Sequence, residues 1–237
     1  DAPWINECGE ETTQPGYVTD AITDHALTFL HEQEAVESPF YLSIHYTAPH
    51  SPWGRNQHPA EYFDPYAQNC PFESVPDLPM HPWQINTAPF GITPESRREF
   101  LSGYFAAITA MDAGIGKVLN ELERQHILED TLIVFTSDNG MNMGHHGIYG
   151  KGNGTYPMNM YESSVKVPFI VSCPGELPCG ETSRGLFSHY DFFPTLLHFL
   201  GCEVEKSDNR PGRNRISVWK AESEDHDQAV IVFDEYG

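Results

Sequence analysis

The stretch from residue 131 to residue 152 reads TLIVFTSDNGMNMGHHGIYGKG and changes character after its first five residues. Those five, TLIVF, form a continuous apolar run of the kind found in strands that are covered on both faces. The remainder places an acid, an amide, two histidines and a lysine among glycines: Asp138, Asn139, His145, His146 and Lys151. The stretch therefore predicts a buried strand that leads into a glycine-rich loop with the side chains of a ligand site.

Further strands and helices alternate on both sides of this stretch. Apolar residues at helical spacing predict a helix from Val18 to Gln33, and a second, long helix begins with Thr93 as N-cap and Pro94 in its first turn. Strands are predicted at 40–46 (FYLSIHY), 168–171 and 229–233, with a helix at 191–200. This alternation predicts an α/β fold with a mostly parallel sheet and helices on both faces.

The segment 47–92 is rich in proline, histidine and aromatic residues and has little periodicity. Loops of this length are uncommon unless they carry function, so we expect an ordered loop that lies over the site. The chain begins with Asp1 rather than methionine and ends just after an apolar run. We therefore expect it to be a segment of a longer protein.

Charge and hydropathy exclude two classes of partner. Thirty-four acidic residues against thirteen basic ones give a formal net charge of −21, which opposes binding to nucleic acids and to anionic membrane surfaces. The sequence has no run of about 18 apolar residues, the length that a membrane-spanning helix needs. We expect neither a nucleic acid partner nor a membrane association.

Ligands of open α/β sheets bind beyond the carboxyl ends of the strands. Asp138 and Asn139 come shortly after TLIVF, and His50 comes shortly after FYLSIHY. We therefore expect these three side chains to lie at one rim of the sheet, together with Lys151, in a single concave pocket.

The residue types of this rim allow several kinds of chemistry. Asp138 and Asn139 offer hard oxygen donors that suit Ca²⁺ or Mg²⁺, although Ca²⁺ needs about six to eight oxygens, and Asn-Gly alone is also a strong turn former. His145, His146 and Lys151 combine a permanent cation with proton donors, which suits a tetrahedral oxyanion. A transition-metal site and a solvated loop are the alternatives for the two histidines.

Five segments together carry a family resemblance: YLSIHYTAPHSPW, a long helix, FTSDNGMNMGHHGIYGKG, YESSVKVPFIVSCPG and SHYDFFPTLLHFLG. In this order they resemble the type I, arylsulfatase-like sulfatases of the alkaline phosphatase superfamily, from about Gly16 to Gly201. The resemblance implies an alkaline phosphatase/sulfatase-like α/β fold, incomplete at both ends. Residues 1–237 would be part of one sulfatase catalytic domain, with 47–92 as a loop insertion over the site and 202–237 as a truncated C-terminal portion.

The resemblance also implies roles for individual residues. Asp138 and Asn139 match the second pair of metal ligands, usually for Ca²⁺, with Mg²⁺ as an alternative ion. His50 matches the catalytic histidine that contacts the sulfate ester and its bridging oxygen. Lys151 matches the catalytic lysine that binds the sulfate group, and His146 matches a substrate-binding histidine beside the substrate.

One part of the family pattern is missing. The family's nucleophile is a formylglycine made from the first residue of C/S-x-P-S-R, and this motif does not occur in residues 1–237. The resemblance places the nucleophile upstream of Asp1, so we expect the complete parent to hydrolyse sulfate monoesters with formylglycine and Ca²⁺. The segment alone is expected to be inactive.

The resemblance leaves the substrate and the reaction partly open. The expected substrate is a small-molecule or carbohydrate sulfate ester. The resemblance suggests that the protein is secreted, periplasmic or lysosomal. Two alternatives are a phosphodiesterase or phosphonate monoester hydrolase of the same superfamily, and a non-catalytic binding protein with a sulfatase fold.

Overall fold

The computed structural model describes residues 3–5, 9–202 and 211–222. The chain folds as two compact units. The first comprises Asp1–Ile127 and Asn139–Lys166, and the second comprises Leu128–Asp138 and Val167–Gly237. The strand predicted at 229–233 lies outside the described residues.

The described residues of the first unit form helices and two short antiparallel ladders. In chain order its elements are β1 (Pro3–Ile5), β2 (Glu11–Thr13), α1 (Val18–Gln33), α2 (Ala60–Asn69), α3 (Pro94–Arg124), β4 (Asn142–Met143), β5 (Tyr149–Gly150) and α4 (Glu162–Val165). The second unit contains β3 (Ile133–Thr136), β6 (Phe169–Ser172), α5 (His189–Phe199) and α6 (Ile216–Trp219). Strands β1 and β2, β3 and β6, and β4 and β5 pair antiparallel.

Helix α3 organises the first unit and begins where the sequence predicts. Thr93 and Ser96 form a capping box, in which the Thr93 hydroxyl accepts from the Ser96 amide and the Ser96 hydroxyl accepts from the Thr93 amide. Glycines in α3 allow neighbouring segments to approach the helix closely. A Cβ atom added at Gly103 would lie 2.0 Å from the Trp53 carbonyl oxygen. Another at Gly114 would meet the Thr23 hydroxyl at 2.5 Å. Helices α1 and α2 both pack against α3.

A hydrophobic cluster joins α3 to the glycine-rich loop. Its buried members are Trp53, Phe72, Val75, Leu101 and Met143. Burying a side chain of this size contributes about 1.5–3 kcal/mol to stability. Because Met143 belongs to β4 and Trp53 follows His50 closely in sequence, one core supports both segments that carry predicted site residues.

In the described part of the second unit, α5 and α6 pack around the β3–β6 pair. Cys173, Leu177 and Trp219 form its buried cluster, with aromatic rings such as Phe169 packed against them. Helix α5 begins at a second capping box, in which Ser188 is the N-cap residue and its amide donates to the Asp191 carboxylate at 2.9 Å.

Three expectations about secondary structure need correction. The segment 40–46 forms no ladder within the described residues, although its side chains alternate between exposed and half-buried. The three ladders that the described residues form are antiparallel, so none supplies the parallel pairing we expected. The segment 47–92 is not loop throughout, because α2 lies within it; this helix is ten residues long, contains Pro65 and buries only Phe63. Within the described residues, no helix has the length and apolarity needed to cross a membrane.

Candidate functional site

A short hairpin carries the predicted histidines and leads to the predicted lysine. Asn142 pairs with Gly150 and Met143 with Tyr149, and the turn between these strands contains His145, His146 and Gly147. His146 itself has φ 59°, in the left-handed region. The register brings the chain back on itself, so Lys151, the residue after β5, lies beside the start of the hairpin.

A buried amide side chain holds the two ends of this hairpin together. Asn142 is fully buried, and its Nδ2 donates to the Gly150 carbonyl at 3.1 Å and to the Ser164 hydroxyl at 2.7 Å. The Ser163 hydroxyl donates to Asn142 Oδ1 at 2.6 Å. A buried polar side chain stabilises a fold only when its hydrogen bonds are made, and here both ends of the amide are paired.

The same network continues to the backbone of Lys151. The Ser164 hydroxyl donates to Asn159 Oδ1 at 2.6 Å. Asn159 Nδ2 then donates to the carbonyl oxygens of Lys151 at 3.3 Å and Gly152 at 3.1 Å. The Gly154 amide also donates to the Lys151 carbonyl, at 2.9 Å. The main chain at the half-buried lysine is therefore fixed by a chain of side chains that begins at Asn142.

The two histidines of the turn have different environments. His146 is exposed and its ring stacks on Tyr161, with centroids 4.0 Å apart and planes 10° apart. His145 is half-buried, and its Nδ1 has no hydrogen-bond partner among the described residues. Burial, and secondly the neighbouring His146, lower the pKa of His145 below its usual value. Burial therefore favours the neutral form of His145, whereas the His146 imidazole lies at the surface.

The segment 76–91 packs on the glycine-rich loop. The Gln84 side chain donates to the Tyr149 carbonyl at 2.9 Å and accepts from the Tyr149 amide at 2.8 Å. The His81 amide donates to the Gly147 carbonyl at 2.8 Å. A side chain at Gly147 would meet the Pro79 carbonyl oxygen at 2.1 Å, so glycine is required for this close approach. Part of the predicted loop insertion therefore lies directly against the hairpin.

His50 lies on a separate turn that is anchored to the core. Its amide donates to the Thr47 carbonyl at 2.9 Å, and its Nδ1 lies 2.9 Å from the Ser51 carbonyl oxygen. A carbonyl only accepts, so Nδ1 carries the proton, and Nε2 of the exposed ring is the position that can bind or release a second proton. Trp53, 2% exposed, holds the turn by donating from Nε1 to the Pro49 carbonyl at 2.9 Å.

Asp138 and Asn139 follow β3, as the sequence predicts. Asp138 is exposed, and the Ser137 hydroxyl contacts its Oδ1 at 3.4 Å. Asn139 Nδ2 donates to the Gly140 carbonyl at 3.2 Å, which identifies the opposite atom, Oδ1, as the oxygen donor. The donor set fits Ca²⁺ in chemical type but supplies only two of about six to eight oxygens. The described residues contain no group of three or more His, Cys, Asp or Glu side chains that could hold a metal ion.

The predicted site residues are thus arranged on two loops of the first unit and one strand end of the second. Asn139, His146 and Lys151 share the glycine-rich loop, and His50 lies on a turn that packs into the same hydrophobic cluster as that loop. Asp138 belongs to the second unit. The single pocket that we expected around all of them stays a prediction.

Sequence reasoning missed the residues that position the loop. Asn142, Asn159 and Ser164 carry no motif, and their hydrogen bonds join positions up to 22 residues apart. The available signal was the placement of Asn142 between two methionines, Met141 and Met143, within residues 140–144 (GMNMG), where every other residue is apolar or glycine. A polar residue among apolar ones requires partners if it is buried.

The fold resembles that of several solved structures. A protein solved in complex with its substrate D-glucosamine-2-N,6-O-disulfate superposes with a TM-score of 0.70 at 22% identity, over 90% of this chain and 54% of that one. A phosphonate monoester hydrolase of Agrobacterium radiobacter superposes with a TM-score of 0.67 at 20% identity, over 90% of this chain and 45% of that one. These likenesses confirm the alkaline phosphatase-like α/β fold class.

Sequence comparison identifies sulfatases as relatives of this chain. An N-acetylglucosamine-6-O-sulfatase of Bacteroides thetaiotaomicron is 28% identical over 84% of this chain, and the human N-acetylglucosamine-6-sulfatase is 30% identical over 81%. The chain covers 45% of the bacterial protein and 34% of the human one, less than half of either. The sulfatase family model matches residues 3–202. The chain therefore belongs to the sulfatase family, that of the type I sulfatases in the alkaline phosphatase superfamily.

Proposed function

We propose that this chain supplies the sulfate-binding side of an enzyme that hydrolyses sulfate monoesters. The observation that carries the proposal is the fixed main chain at Lys151, held by Asn159 on a glycine-rich loop in a member of the sulfatase family. A lysine whose backbone is fixed can direct a permanent positive charge at one place. The chain has 34 acidic residues against 13 basic ones, so a fixed positive charge at Lys151 contrasts with an acidic background.

Each proposed residue performs a distinct step. The Lys151 ammonium binds the sulfate oxygens and offsets negative charge as it develops on them. His50 Nε2, once it is protonated, donates a hydrogen bond to the bridging oxygen and transfers that proton to the departing alcohol. His146, stacked on Tyr161, is a substrate-binding residue beside the sulfate group.

Asp138 and Asn139 are the proposed metal ligands. A bound Ca²⁺, or Mg²⁺ in its place, would polarise the sulfate oxygens. The carboxylate and the amide oxygen would hold one side of the ion, and the remaining ligands would come from other groups.

The nucleophile completes the proposal. Because residues 1–237 contain no C/S-x-P-S-R motif, we propose that formylglycine is supplied by polypeptide outside them. The substrate is a small-molecule or carbohydrate sulfate ester, and a secreted, periplasmic or lysosomal site of action fits the family resemblance.

Ester hydrolysis tests the proposal. The 237-residue chain and the complete product of its gene are assayed with 4-nitrophenyl sulfate and 4-nitrophenyl phosphate at saturating Ca²⁺. We expect the complete product to prefer the sulfate ester and the 237-residue chain to hydrolyse neither. Preference for the phosphate ester would contradict the proposal in favour of a phosphodiesterase-like enzyme. Failure of the complete product to hydrolyse either ester would contradict it in favour of a binding protein.

A further inference from the structure

A cavity of about 300 Å³ lies in the first unit beside the proposed sulfate-binding residues. Its apolar lining consists of Trp83, Pro157, Met158, Met160 and Tyr161. Much of this surface is open to solvent, since Trp83 is 58% exposed and Met158 and Met160 are each 41% exposed. Large apolar side chains exposed together in a concavity mark a binding site more often than scattered ones do.

The walls of the cavity are held in place by hydrogen bonds. The Tyr156 amide donates to the Trp83 carbonyl, and the Ile85 amide donates to the Gly154 carbonyl, each at 3.0 Å. The His81 ring meets the Trp83 ring edge-on, with centroids 5.6 Å apart. The exposed indole is therefore presented by a fixed backbone.

Two side chains connect the cavity to the proposed sulfate-binding residues. Tyr161 lines the cavity and stacks on His146 at 4.0 Å. Asn159 also lines the cavity and donates to the Lys151 carbonyl at 3.3 Å. A sulfate group bound by Lys151 and His146 would therefore place the rest of its ester near this cavity.

The lining determines which organic group would fit. A volume of about 300 Å³ is at the small end of ligand pockets, which suits one ring. Aromatic and thioether surfaces bind an apolar ring face, and no Asp, Glu, Lys or Arg lines the cavity to pair with a charge.

Two residues that line the cavity, His81 and Trp83, carry ring N–H donors that an oxygen-bearing ring could use. His81 Nδ1 accepts from the Trp83 amide at 3.2 Å, so the proton of the neutral ring is on Nε2. Within the described part of the chain, neither His81 Nε2 nor Trp83 Nε1 donates to a protein acceptor. Hydroxyl and ring oxygens would accept from both.

We propose that this cavity is a specificity subsite for an uncharged pyranose ring that carries the sulfate group, with Trp83 as the residue that contacts the ring face. The subsite rests on the proposed function, because the sulfate group brings the ring to the cavity. The subsite predicts that the enzyme prefers sugar sulfates to acyclic alkyl sulfates whose alcohol is an equally good leaving group.

Kinetics of the complete gene product test the subsite with glucose 6-sulfate, propyl sulfate and 4-nitrophenyl sulfate. We expect Trp83→Ala to raise KM for glucose 6-sulfate about tenfold and to leave kcat/KM for propyl sulfate unchanged. Trp83→Phe should restore most of the affinity, and Tyr41→Ala, which removes an aromatic ring that is 76% exposed, should change neither substrate. An equal loss for glucose 6-sulfate and propyl sulfate, or a loss confined to 4-nitrophenyl sulfate, would overturn the subsite.

Direct binding separates this proposal from the proposed function. Saturation-transfer NMR on the 237-residue chain should show contacts to the ring protons of glucose 6-sulfate that Trp83→Ala abolishes and Tyr41→Ala retains. If these contacts appear while the complete product hydrolyses no sulfate ester, the subsite stands and the proposed function fails. If hydrolysis proceeds and Trp83→Ala changes neither KM nor the ring contacts, the proposed function stands and the subsite fails.

Discussion

Replacing Asn142 with alanine should weaken both the fold and the placement of Lys151. The substitution removes three hydrogen bonds, to the Gly150 carbonyl and to the hydroxyls of Ser163 and Ser164. At about 1 kcal/mol for each net bond, the free energy of unfolding should fall by about 3 kcal/mol. A typical domain has about 5–15 kcal/mol in total, so this loss is large.

Urea denaturation of the 237-residue chain measures this change. Asn120→Ala is the matched control, because Asn120 is an exposed asparagine of α3 and its replacement should change stability by less than about 0.5 kcal/mol. Amide hydrogen exchange gives a local readout, since the Gly154 amide donates to the Lys151 carbonyl and should exchange faster in Asn142→Ala. A loss below about 1 kcal/mol with unchanged exchange at Gly154 would refute the positioning role of Asn142.

Two further predictions concern the metal and pH. Calorimetric titration of the 237-residue chain with Ca²⁺ should show weak binding. Asp138→Ala should abolish this binding, and Asp112→Ala, which replaces an exposed carboxylate of α3, should retain it. Tight binding that does not depend on Asp138 would show that the ligands lie elsewhere. Burial lowers the pKa of His58, so the unfolded chain binds more protons, and the free energy of unfolding should fall as pH drops below about 6.5. The unfolding free energy of His58→Gln should fall less between pH 7.5 and 5 than that of the exposed control His189→Gln, and equal falls would refute this assignment.

Helices were predictable because their signals are local. The predicted bounds of α1, Val18 and Gln33, are those observed, and Thr93 and Pro94 open α3. Capping residues and periodic apolar positions act within one or two turns, so the sequence alone contains them.

Strand pairing was less predictable because it depends on a partner. The predicted strand at 131–135 corresponds to β3 at Ile133–Thr136, but its neighbour β6 runs antiparallel to it. The segment 40–46 has the composition of a strand and no ladder within the described residues. A strand is defined by hydrogen bonds to another segment, and residue composition does not specify where that segment lies.

The candidate site also combines features that the sequence predicts with features that depend on tertiary contacts. The chemistry of Lys151 and His50 could be inferred from residue type and resemblance, because motifs record which groups react. The network through Asn142 could not, since buried amides and exposed amides look alike in a sequence. Its position is determined by tertiary packing around Met143, in a core that includes residues from α3 and from the segment 47–92.

The most direct test of the central claim is aryl sulfate hydrolysis by the complete gene product carrying Lys151→Ala, with Lys117→Ala, an exposed lysine of α3, as the control. If Lys151 binds the sulfate group more strongly as charge develops on it, kcat should fall on the order of 10²-fold or more, while the Lys117 variant should retain full activity. Unchanged kcat in Lys151→Ala, or an equal fall in both variants, would contradict the assignment of the glycine-rich loop as a sulfate-binding element.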